Sequence, residues 1–249
     1  MAEYRQAWIP KLEEKALSRK HVLNIIDEIR RPKNQGGGSA TIQRASAIDW
    51  LQDIDEADLL LTDPPYSTEI DDIHKFVKSW LPLAISKLKP TGRGLVFIGA
   101  YADEFAAYFS QKLPVGWQWA VPHAWVYRNT IGPTPEMDFI RNWQCILSIR
   151  GPKAGSLHTD KINELLAGFV ENAPDGRQGV RHHKWEKPIE LMQRLIKICT
   201  DPSDITIDPF AGSGTTLLAA KLEGRIGRGC DNNLEAIKIA EGRGCNVQR

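Results

Sequence analysis

The sequence predicts an α/β fold whose sheet is mostly parallel and carries helices on both faces. Short apolar runs alternate with amphipathic stretches along most of the chain, which is the pattern of strand–helix–strand units. Two loops rich in Pro or Gly each follow directly after an apolar run, as expected where the strands of a parallel sheet end. The 249 residues, of which 42% are hydrophobic, suffice for one large domain with its own core.

The first half of the chain begins with an appended helix. Residues 11–31 alternate charged and apolar positions at helical spacing, end before Pro32 and are followed by the glycines 36–38, which predict a flexible joint. After the joint the predicted elements are strands at 41–46, 57–63 and 94–100 and helices near 71–88 and 102–112. Two β-like runs, 117–128 and 143–151, predict an antiparallel hairpin at the edge of the sheet.

The second half resumes the alternation after a polar segment, 152–182, that has little periodicity. The predicted elements there are helices at about 187–199, 214–223 and 233–242 and strands at 204–209 and 225–231. The chain therefore divides into an extension with its joint (1–40), two halves of one sheet domain (41–151 and 183–249), and the insert at 152–182.

Composition excludes several classes of protein. No stretch approaches 18 consecutive apolar residues, and no basic segment followed by an apolar run stands at the start, so we expect neither a membrane span nor a secretory signal. The four cysteines are far apart and form no CxxC pair or Cys/His cluster. They predict free thiols in a reducing, cytoplasmic compartment and no metal site. A net charge of +1 argues against a protein that only coats nucleic acid.

The first loop that carries chemistry is Thr62-Asp63-Pro64-Pro65-Tyr66. Its two prolines remove two N–H donors and fix the backbone, so the loop offers a carboxylate and bare carbonyls beside an aromatic ring. Such a set of acceptors suits a flat ligand that donates hydrogen bonds from an exocyclic amine. A rigid turn that merely ends a strand is the alternative, and the acid at the strand end favours a binding site.

The second loop has the sequence DPFAGSGTT at 208–216 and again joins a strand to a helix. Gly212 and Gly214 permit close approach of the backbone to a ligand, and the helix N-terminus favours an anionic group such as a carboxylate. The loop matches neither a phosphate-binding P-loop nor the dinucleotide GxGxxG. The next strand ends at Asp231, an acid placed to accept from ribose hydroxyls. Together these features predict a ligand with a ribose and a carboxylate.

These motifs resemble the paired signatures of the S-adenosylmethionine-dependent DNA amino-methyltransferases. DPPY stands at 63–66 and the Gly-rich loop at 208–216, and HKWEKP at 183–188 is similar to the family's H-x-x-x-K-P segment. The order, DPPY first and the cofactor loop last, resembles the permuted β group, which includes adenine-N6 and cytosine-N4 enzymes. The resemblance covers about 41–151 and 183–243 and implies a Rossmann-like methyltransferase fold.

The resemblance implies a role for each motif residue. The catalytic residues would be Asp63, Pro64, Pro65 and Tyr66. A base flipped out of the DNA would stack on Tyr66, while Asp63 and the Pro64 carbonyl accept its amino protons. The cofactor S-adenosylmethionine would be bound by His183, Lys187, Asp208, Pro209, Phe210, Ala211, Gly212, Ser213, Gly214, Thr215, Asp231 and Asn232. Methyl transfer would be direct and in line, accelerated mostly by positioning of the two reactants.

By the same resemblance, 41–151 is the catalytic half, 183–249 the cofactor-binding half, and 152–182 a small target-recognition insert. Arg and Lys side chains reach both phosphates and guanine edges. The predicted DNA contacts are therefore Lys153, His158, Lys161, Arg177 and Arg181. The expected partner is double-stranded DNA; a second copy of the chain and a cognate restriction nuclease are further candidates. The protein would be prokaryotic or phage-encoded.

One departure from the family pattern and several alternatives stand beside this prediction. Ala45-Ser46 replace the Gly-Asp pair that often contacts the cofactor's adenine, and Asp49 is the candidate substitute. The Asp of DPPY favours adenine N6 as the methylated atom, since a Ser there would favour cytosine N4. Cytosine-N4 methylation, RNA as the substrate, and an inert DNA-binding subunit with the same fold stay open.

Overall fold

The structure is a computed structural model that describes residues 37–129, 139–159, 161–174 and 186–248. All of them lie in one unit of the chain, Gly36–Arg249. The strands are β1 (Ser39–Arg44), β2 (Ala57–Thr62), β3 (Leu88–Ile98), β4 (Gln118–Trp119), β5 (His123–Val126), β6 (Trp143–Arg150), β7 (Gly168–Val170), β8 (Ile205–Asp208), β9 (Ile226–Asp231) and β10 (Asn246–Gln248). The helices are α1 (Ala47–Asp53), α2 (Ile73–Ser86), α3 (Ala102–Phe109), α4 (Ile189–Cys199), α5 (Thr215–Leu222) and α6 (Leu234–Gly242), with a 3₁₀ turn at Ile162–Glu164.

The described strands form one sheet in the order β10-β1-β9-β8-β2-β3-β6-β5-β7, and β4 also pairs with β6. All neighbours from β10 to β3 are parallel. Strand β6 is antiparallel to β3, β4 and β5. The predicted α/β fold, with a mostly parallel sheet and an antiparallel pair, is therefore confirmed.

Helices cover both faces of this sheet, and β2 illustrates how. Successive side chains of a strand point to opposite faces. Leu60 packs in a core with Val77 and Trp80 of α2, whereas Leu59 and Leu61 pack in a second core with α4 and α5. All three leucines are 0% exposed, which is the burial of a parallel strand covered on both sides. The predicted two-sided helical cover is confirmed.

The predicted antiparallel hairpin needs two corrections. The run 117–128 is not one strand: it divides into β4 and β5, and residues 120–122 between them, which include Pro122, belong to neither. Proline lacks the N–H that a ladder requires. The pair is also not the edge of the sheet, because β7 adds to β5 in parallel. Strand β7 lies within the predicted insert 152–182, so part of that insert belongs to the sheet.

Other element bounds differ from the predicted ones. Strand β1 begins at Ser39, inside the segment 1–40 that we predicted as extension and joint, and β3 begins at Leu88 rather than 94 and ends before Gly99. The short elements α1 and β10 were not predicted. The predicted helix at 11–31 lies outside the described residues.

None of the helices that the structure describes combines the length and the hydrophobicity that a membrane span requires.

The four cysteines are free thiols, as predicted. Burial raises the pKa of Cys145, Cys199 and Cys245 to about 11, so these thiols are protonated at neutral pH and are poor nucleophiles.

Candidate active site

A cavity of about 520 Å³ opens at the carboxyl ends of four neighbouring strands, β1, β9, β8 and β2. Parallel α/β sheets bind ligands at this edge, and the volume is that of a small-molecule site. The structure brings most of the predicted site residues together on its wall: Asp63, Pro64, Pro65, Tyr66, Lys187, Asp208, Pro209, Phe210, Ala211, Gly212, Ser213, Thr215, Asp231 and Asn232. The two motif loops therefore share one space.

Asp208 joins the two motif loops from below. Its buried carboxylate accepts hydrogen bonds from the Thr62 hydroxyl at 2.6 Å and the Phe210 N–H at 3.1 Å. Thr62 directly precedes Asp63, so this bond ties the end of β2 to the start of the Gly-rich loop. Burial raises the pKa of Asp208 to about 6. Through these bonds the carboxylate of Asp208 holds the Gly-rich loop in place.

The two glycines of the loop serve different contacts. Gly212 has a φ of +50° and open space where a Cβ would stand, and it lines the cavity. Gly214 has a φ of +80°, and a Cβ there would lie 2.8 Å from Cys245 Sγ and 3.1 Å from Ala240 Cβ. Left-handed backbone favours glycine at both positions. The close approach at Gly214 is to Ala240 of α6 and to Cys245, three residues beyond its end, whereas the sequence predicts an approach to a ligand.

Asp231, at the end of β9, has acceptor capacity that faces the cavity. Its two carboxylate oxygens accept the N–H groups of Gly212 at 2.9 Å and Asn233 at 2.8 Å. A carboxylate offers about four lone-pair sites, so further donors, such as ribose hydroxyls, can be accommodated. Beside it, Phe210 packs edge-on against Trp80, with ring centroids 5.0 Å apart, and contributes an apolar wall. A carboxylate acceptor beside an apolar wall suits the ribose and base of a nucleoside ligand.

Arg243, which the sequence analysis missed, fixes the Gly-rich loop from behind. Its guanidinium donates to the Ser213 carbonyl at 3.1 Å, the Ser213 hydroxyl at 3.0 Å and the Thr215 hydroxyl at 2.9 Å. It also forms an ion pair with Glu186 at 2.7 Å, and both side chains are largely buried. A planar guanidinium presents several donors in fixed geometry, so Arg243, the residue that directly follows α6, holds the loop and the segment before α4 together.

Asp63, Tyr66 and Lys187 form a second cluster on the cavity wall. The Tyr66 hydroxyl donates to one Asp63 oxygen at 2.6 Å, and the Lys187 ammonium donates to the other. Lys187 Nζ also lies 3.1 Å from the Tyr66 hydroxyl. Burial and the negative charge of Asp63 raise the pKa of Tyr66 well above its ordinary value, so Tyr66 stays protonated and donates. The sequence predicts Lys187 at the cofactor, whereas its polar contacts in the structure are with Asp63 and Tyr66 of the DPPY loop.

Glu104, also missed from sequence, holds the segment that follows DPPY. It is 1% exposed and accepts both the N–H and the hydroxyl of Ser67 with one oxygen. Its other oxygen accepts the N–H of Gly99, just beyond β3. The carboxylate therefore ties the DPPY loop to the end of the neighbouring strand. No motif marks Glu104 in the sequence, because its partner beside DPPY, Ser67, lies 37 residues away.

The predicted DNA contacts that the structure describes lie away from the cavity. Because β6 is antiparallel to β3, β6 ends beside the start of β3, on the side of the sheet opposite the cavity. There the Lys153 N–H donates to the Pro90 carbonyl at 2.9 Å. His158 lies near the end of α4, 3.0 Å from Asp201, and Lys161 forms an exposed ion pair nearby in sequence. The position of Lys153 and His158 argues against contact with a base in the cavity. The predicted site residues that lie outside the described residues are Arg177, Arg181 and His183.

The departure at Ala45-Ser46 also has a local structural explanation. The Ser46 hydroxyl caps α1 by accepting the Asp49 N–H at 3.2 Å and donates to the Asp49 carboxylate at 2.7 Å. This pair is a capping arrangement, in which one side chain satisfies the first turn of the helix. Ser46 lines the cavity whereas Asp49 does not. The predicted substitution of Asp49 for the family's acid therefore has no support in this geometry. Among the described residues, no group of three or more His, Cys, Asp or Glu side chains could hold a metal ion.

Comparison with solved structures supports the fold. The complex of M1.HpyAVI with SAM superposes with a TM-score of 0.63 at 23% identity, over 82% of this chain and 98% of that one. The cytosine-N4-specific PvuII DNA methyltransferase superposes with a TM-score of 0.68 at 17% identity, over 85% of this chain and 91% of that one. The Rossmann-like methyltransferase fold implied by the motifs is thereby confirmed.

Sequence comparison identifies the family. The chain is 28% identical to Type II methyltransferase M.HpaI of Haemophilus parainfluenzae, over 80% of this chain and 72% of that protein. It is 25% identical to Type II methyltransferase M1.MboII of Moraxella bovis, over 80% of this chain and 94% of that protein. The family model described as DNA methylase matches residues 57–242, which include both motif loops. The chain belongs to this N6/N4 DNA methylase family of S-adenosylmethionine-dependent DNA methyltransferases.

Proposed function

We propose that this DNA methyltransferase transfers the methyl group of S-adenosylmethionine to the N6 amino group of an adenine flipped out of the duplex. One observation carries the proposal: Asp63 and Asp231 line the same cavity, so an acceptor for an exocyclic amine and an acceptor for a ribose face one space. The Asp at the first position of DPPY supports adenine over cytosine. The motif order supports a place in the permuted β group.

The cofactor's place follows from the Gly-rich loop. Asp231 would accept the ribose hydroxyls, and the loop before α5 would receive the methionine carboxylate, since a helix N-terminus favours an anion. Arg243 would keep Ser213 and Thr215 in position for that contact. The bound cofactor would supply an electrophilic methyl group carried on a sulfonium.

The DPPY loop prepares the amine for attack. Asp63 and the Pro64 carbonyl would accept the two amino protons, which holds the nitrogen lone pair in a single direction. The Tyr66 ring would stack on the base, a contact worth on the order of 1 to 3 kcal/mol. After transfer the nitrogen must lose one proton, and Asp63, which already accepts an N–H, is the nearest base. Rate acceleration would come mostly from holding the two reactants in line.

DNA would approach the edge of the sheet where the cavity opens. In the described residues, Arg141 stands at this edge: its guanidinium donates to the Gly99 carbonyl at 2.6 Å and lies 4.1 Å from the centroid of the Tyr101 ring. It is a better placed contact for DNA than Lys153 or His158. The Type II names of the relatives support a cognate restriction nuclease as a companion, and dimerisation stays a prediction.

Substitution of Asp63 tests this proposal. In Asp63→Ala and Asp63→Asn, methyl transfer to DNA should fall by at least about 100-fold, because the amine loses its charged acceptor, while DNA binding is kept. Asp55→Ala is the matched control, since Asp55 is 88% exposed and only loosely paired with Arg228 at 3.6 Å. Transfer by Asp63→Ala at the wild-type rate would contradict the proposal. Loss of DNA binding together with transfer would favour a structural role for Asp63.

A further inference from the structure

The Lys187 ammonium occupies an unusual place for a lysine. Its side chain is only 5% exposed, yet the residue lines the cavity. Three aromatic rings surround it, with Nζ 5.3 Å from the centroid of Phe97, 5.6 Å from Tyr66 and 5.8 Å from Trp125. All three lie within the range of a cation–π contact.

Burial of this charge has a cost that the fold alone does not explain. Removal of an ammonium from water is expensive even when it is paired, and a hydrophobic residue of similar volume is often as stable or more stable. The ion pair with Asp63 is therefore weak evidence for a purely structural role. A buried, paired ammonium on the wall of a cavity is instead the kind of polar group that orients a ligand.

From this geometry we infer that Lys187 is the donor half of a pair that recognises the target base, with Asp63 as the acceptor half. Asp63 accepts from the exocyclic amine, and the Lys187 ammonium donates to the ring nitrogen beside that amine, N1 of adenine. The inference rests on the proposed function and deepens it. It gives Lys187 a contact with substrate instead of the cofactor contact implied by the H-x-x-x-K-P segment.

The hydrogen-bonding capacity of both residues permits this. An ammonium carries three donors, and that of Lys187 donates to one Asp63 oxygen and to the Tyr66 hydroxyl. The Asp63 carboxylate has about four lone-pair sites and receives Tyr66 and Lys187. A base edge can therefore dock against the pair without breaking it. The base completes a set of acceptors and donors that the protein has already aligned.

On the Watson–Crick edge, the pair also separates adenine and cytosine from thymine and guanine. Adenine presents an amine donor next to a ring-nitrogen acceptor, which complements a carboxylate beside an ammonium. Thymine and guanine present a carbonyl oxygen next to a ring N–H, which reverses the order. A carbonyl facing Asp63 and an N–H facing Lys187 would leave buried polar groups unpaired, and sites built on hydrogen bonds reject such ligands strongly.

The test is a cycle of two enzymes and two bases. Single-turnover methyl transfer at saturating S-adenosylmethionine is measured on duplexes that carry adenine or 1-deazaadenine at the methylated position, with wild type and Lys187→Met. Wild type should lose about 10- to 100-fold on 1-deazaadenine. Lys187→Met should be slower on adenine by a similar factor and lose nothing further on the analogue. The cycle cancels the analogue's own change in amine reactivity. Lys89→Met, which removes a half-exposed lysine paired with Asp58 at 2.8 Å, is the control.

Three results would overturn the inference: wild type that treats both bases alike, Lys187→Met that still discriminates as wild type does, or Lys187→Met whose defect is confined to cofactor affinity by calorimetry. Equal rates of wild type on the two bases would overturn the inference without any variant, so poor folding of Lys187→Met does not remove that arm of the test. Wild type that transfers no methyl group to the adenine duplex contradicts the proposed function instead. If the methyl group is transferred to cytosine instead of adenine, the same cycle with cytosine and 3-deazacytosine decides the role of Lys187.

Discussion

Glu104 of α3 accepts two hydrogen bonds from Ser67, one from its backbone N–H at 2.7 Å and one from its hydroxyl at 3.0 Å. Ser67 is the residue after DPPY, so a buried carboxylate on a neighbouring helix fixes the exit of the catalytic loop. The same side chain holds the Gly99 N–H at the end of β3. The loop that would receive the base is thus held at its start by the Thr62–Asp208 bond and at its end by Glu104.

Replacement of Glu104 should slow methyl transfer without weakening cofactor binding. In Glu104→Gln the amide has one accepting oxygen and its NH₂ group would face an N–H donor, so at least one bond is lost. We expect the single-turnover rate to fall by about 10- to 100-fold, as for other losses of active-site positioning. The dissociation constant for S-adenosylmethionine, measured by calorimetry, should stay within about twofold of wild type. Asp103→Asn alters the exposed carboxylate next to it on the same helix and should change neither; equal effects of the two substitutions would refute the role of Glu104.

Replacement of Arg243 should weaken cofactor binding. Arg243→Met removes the donors to Ser213 and Thr215 and the cation that faces Glu186, and loss of one partner of a buried ion pair costs about 3 to 5 kcal/mol of stability. We expect the dissociation constant for S-adenosylmethionine to rise at least about 10-fold, because the loop loses its fixed geometry. Arg228→Met removes a half-exposed arginine and should have little effect. A folded Arg243→Met that binds the cofactor with wild-type affinity would contradict the role of Arg243 in fixing the Gly-rich loop for the cofactor.

The two loop glycines should respond differently to a methyl group. Both have positive φ, which costs a non-glycine residue roughly 1 to 2 kcal/mol. Gly214→Ala adds a clash with Cys245 and Ala240, whereas Gly212→Ala places its Cβ in open space. Urea unfolding should therefore show a larger loss of stability for Gly214→Ala. Equal losses would mean that α6 yields to the added methyl group.

Asp208 should make stability depend on pH in a defined window. Its pKa is about 6 in the folded protein, above the ordinary 3.8, because of burial. A raised carboxyl pKa means that the folded state binds the proton more tightly. The resulting stabilisation is complete below pH 4 and is lost as the pH rises through about 6, by about 3 kcal/mol. Asp208→Asn cannot titrate, so the difference in unfolding free energy between wild type and this variant should decrease from pH 4 to above 6. A constant difference would refute the buried-acid assignment.

The parts of the site that the sequence predicts are those encoded by contiguous residues. Two loops can be recognised in the sequence, 63–66 and 208–216, because each follows an apolar strand and contains turn residues with special backbone geometry. Their convergence on one cavity follows from parallel strands alone, since their carboxyl ends meet at one edge. The helices on both faces follow from the same alternation.

The parts that the sequence does not predict depend on contacts between distant segments. Glu104 lies 37 residues from Ser67, and no motif surrounds it. The H-x-x-x-K-P segment marks Lys187, but its contact with Asp63, 124 residues away, is not visible in the sequence. In the sequence only their charge marks Lys153 and His158 as DNA contacts, whereas their distance from the cavity depends on the antiparallel direction of β6. Strand β7 has three residues, too few for a periodic pattern, and only its pairing with β5 defines it.

Identification of the methylated nucleoside is the most direct test of the proposed adenine-N6 methylation. The purified protein is incubated with unmethylated DNA and methyl-labelled S-adenosylmethionine, the DNA is digested to nucleosides, and these are separated by chromatography. The proposed function predicts label in N6-methyldeoxyadenosine, and at least about 100-fold less of it in DNA treated with Asp63→Ala. Label in N4-methyldeoxycytidine, or no label in DNA by a protein that binds the cofactor, would contradict it.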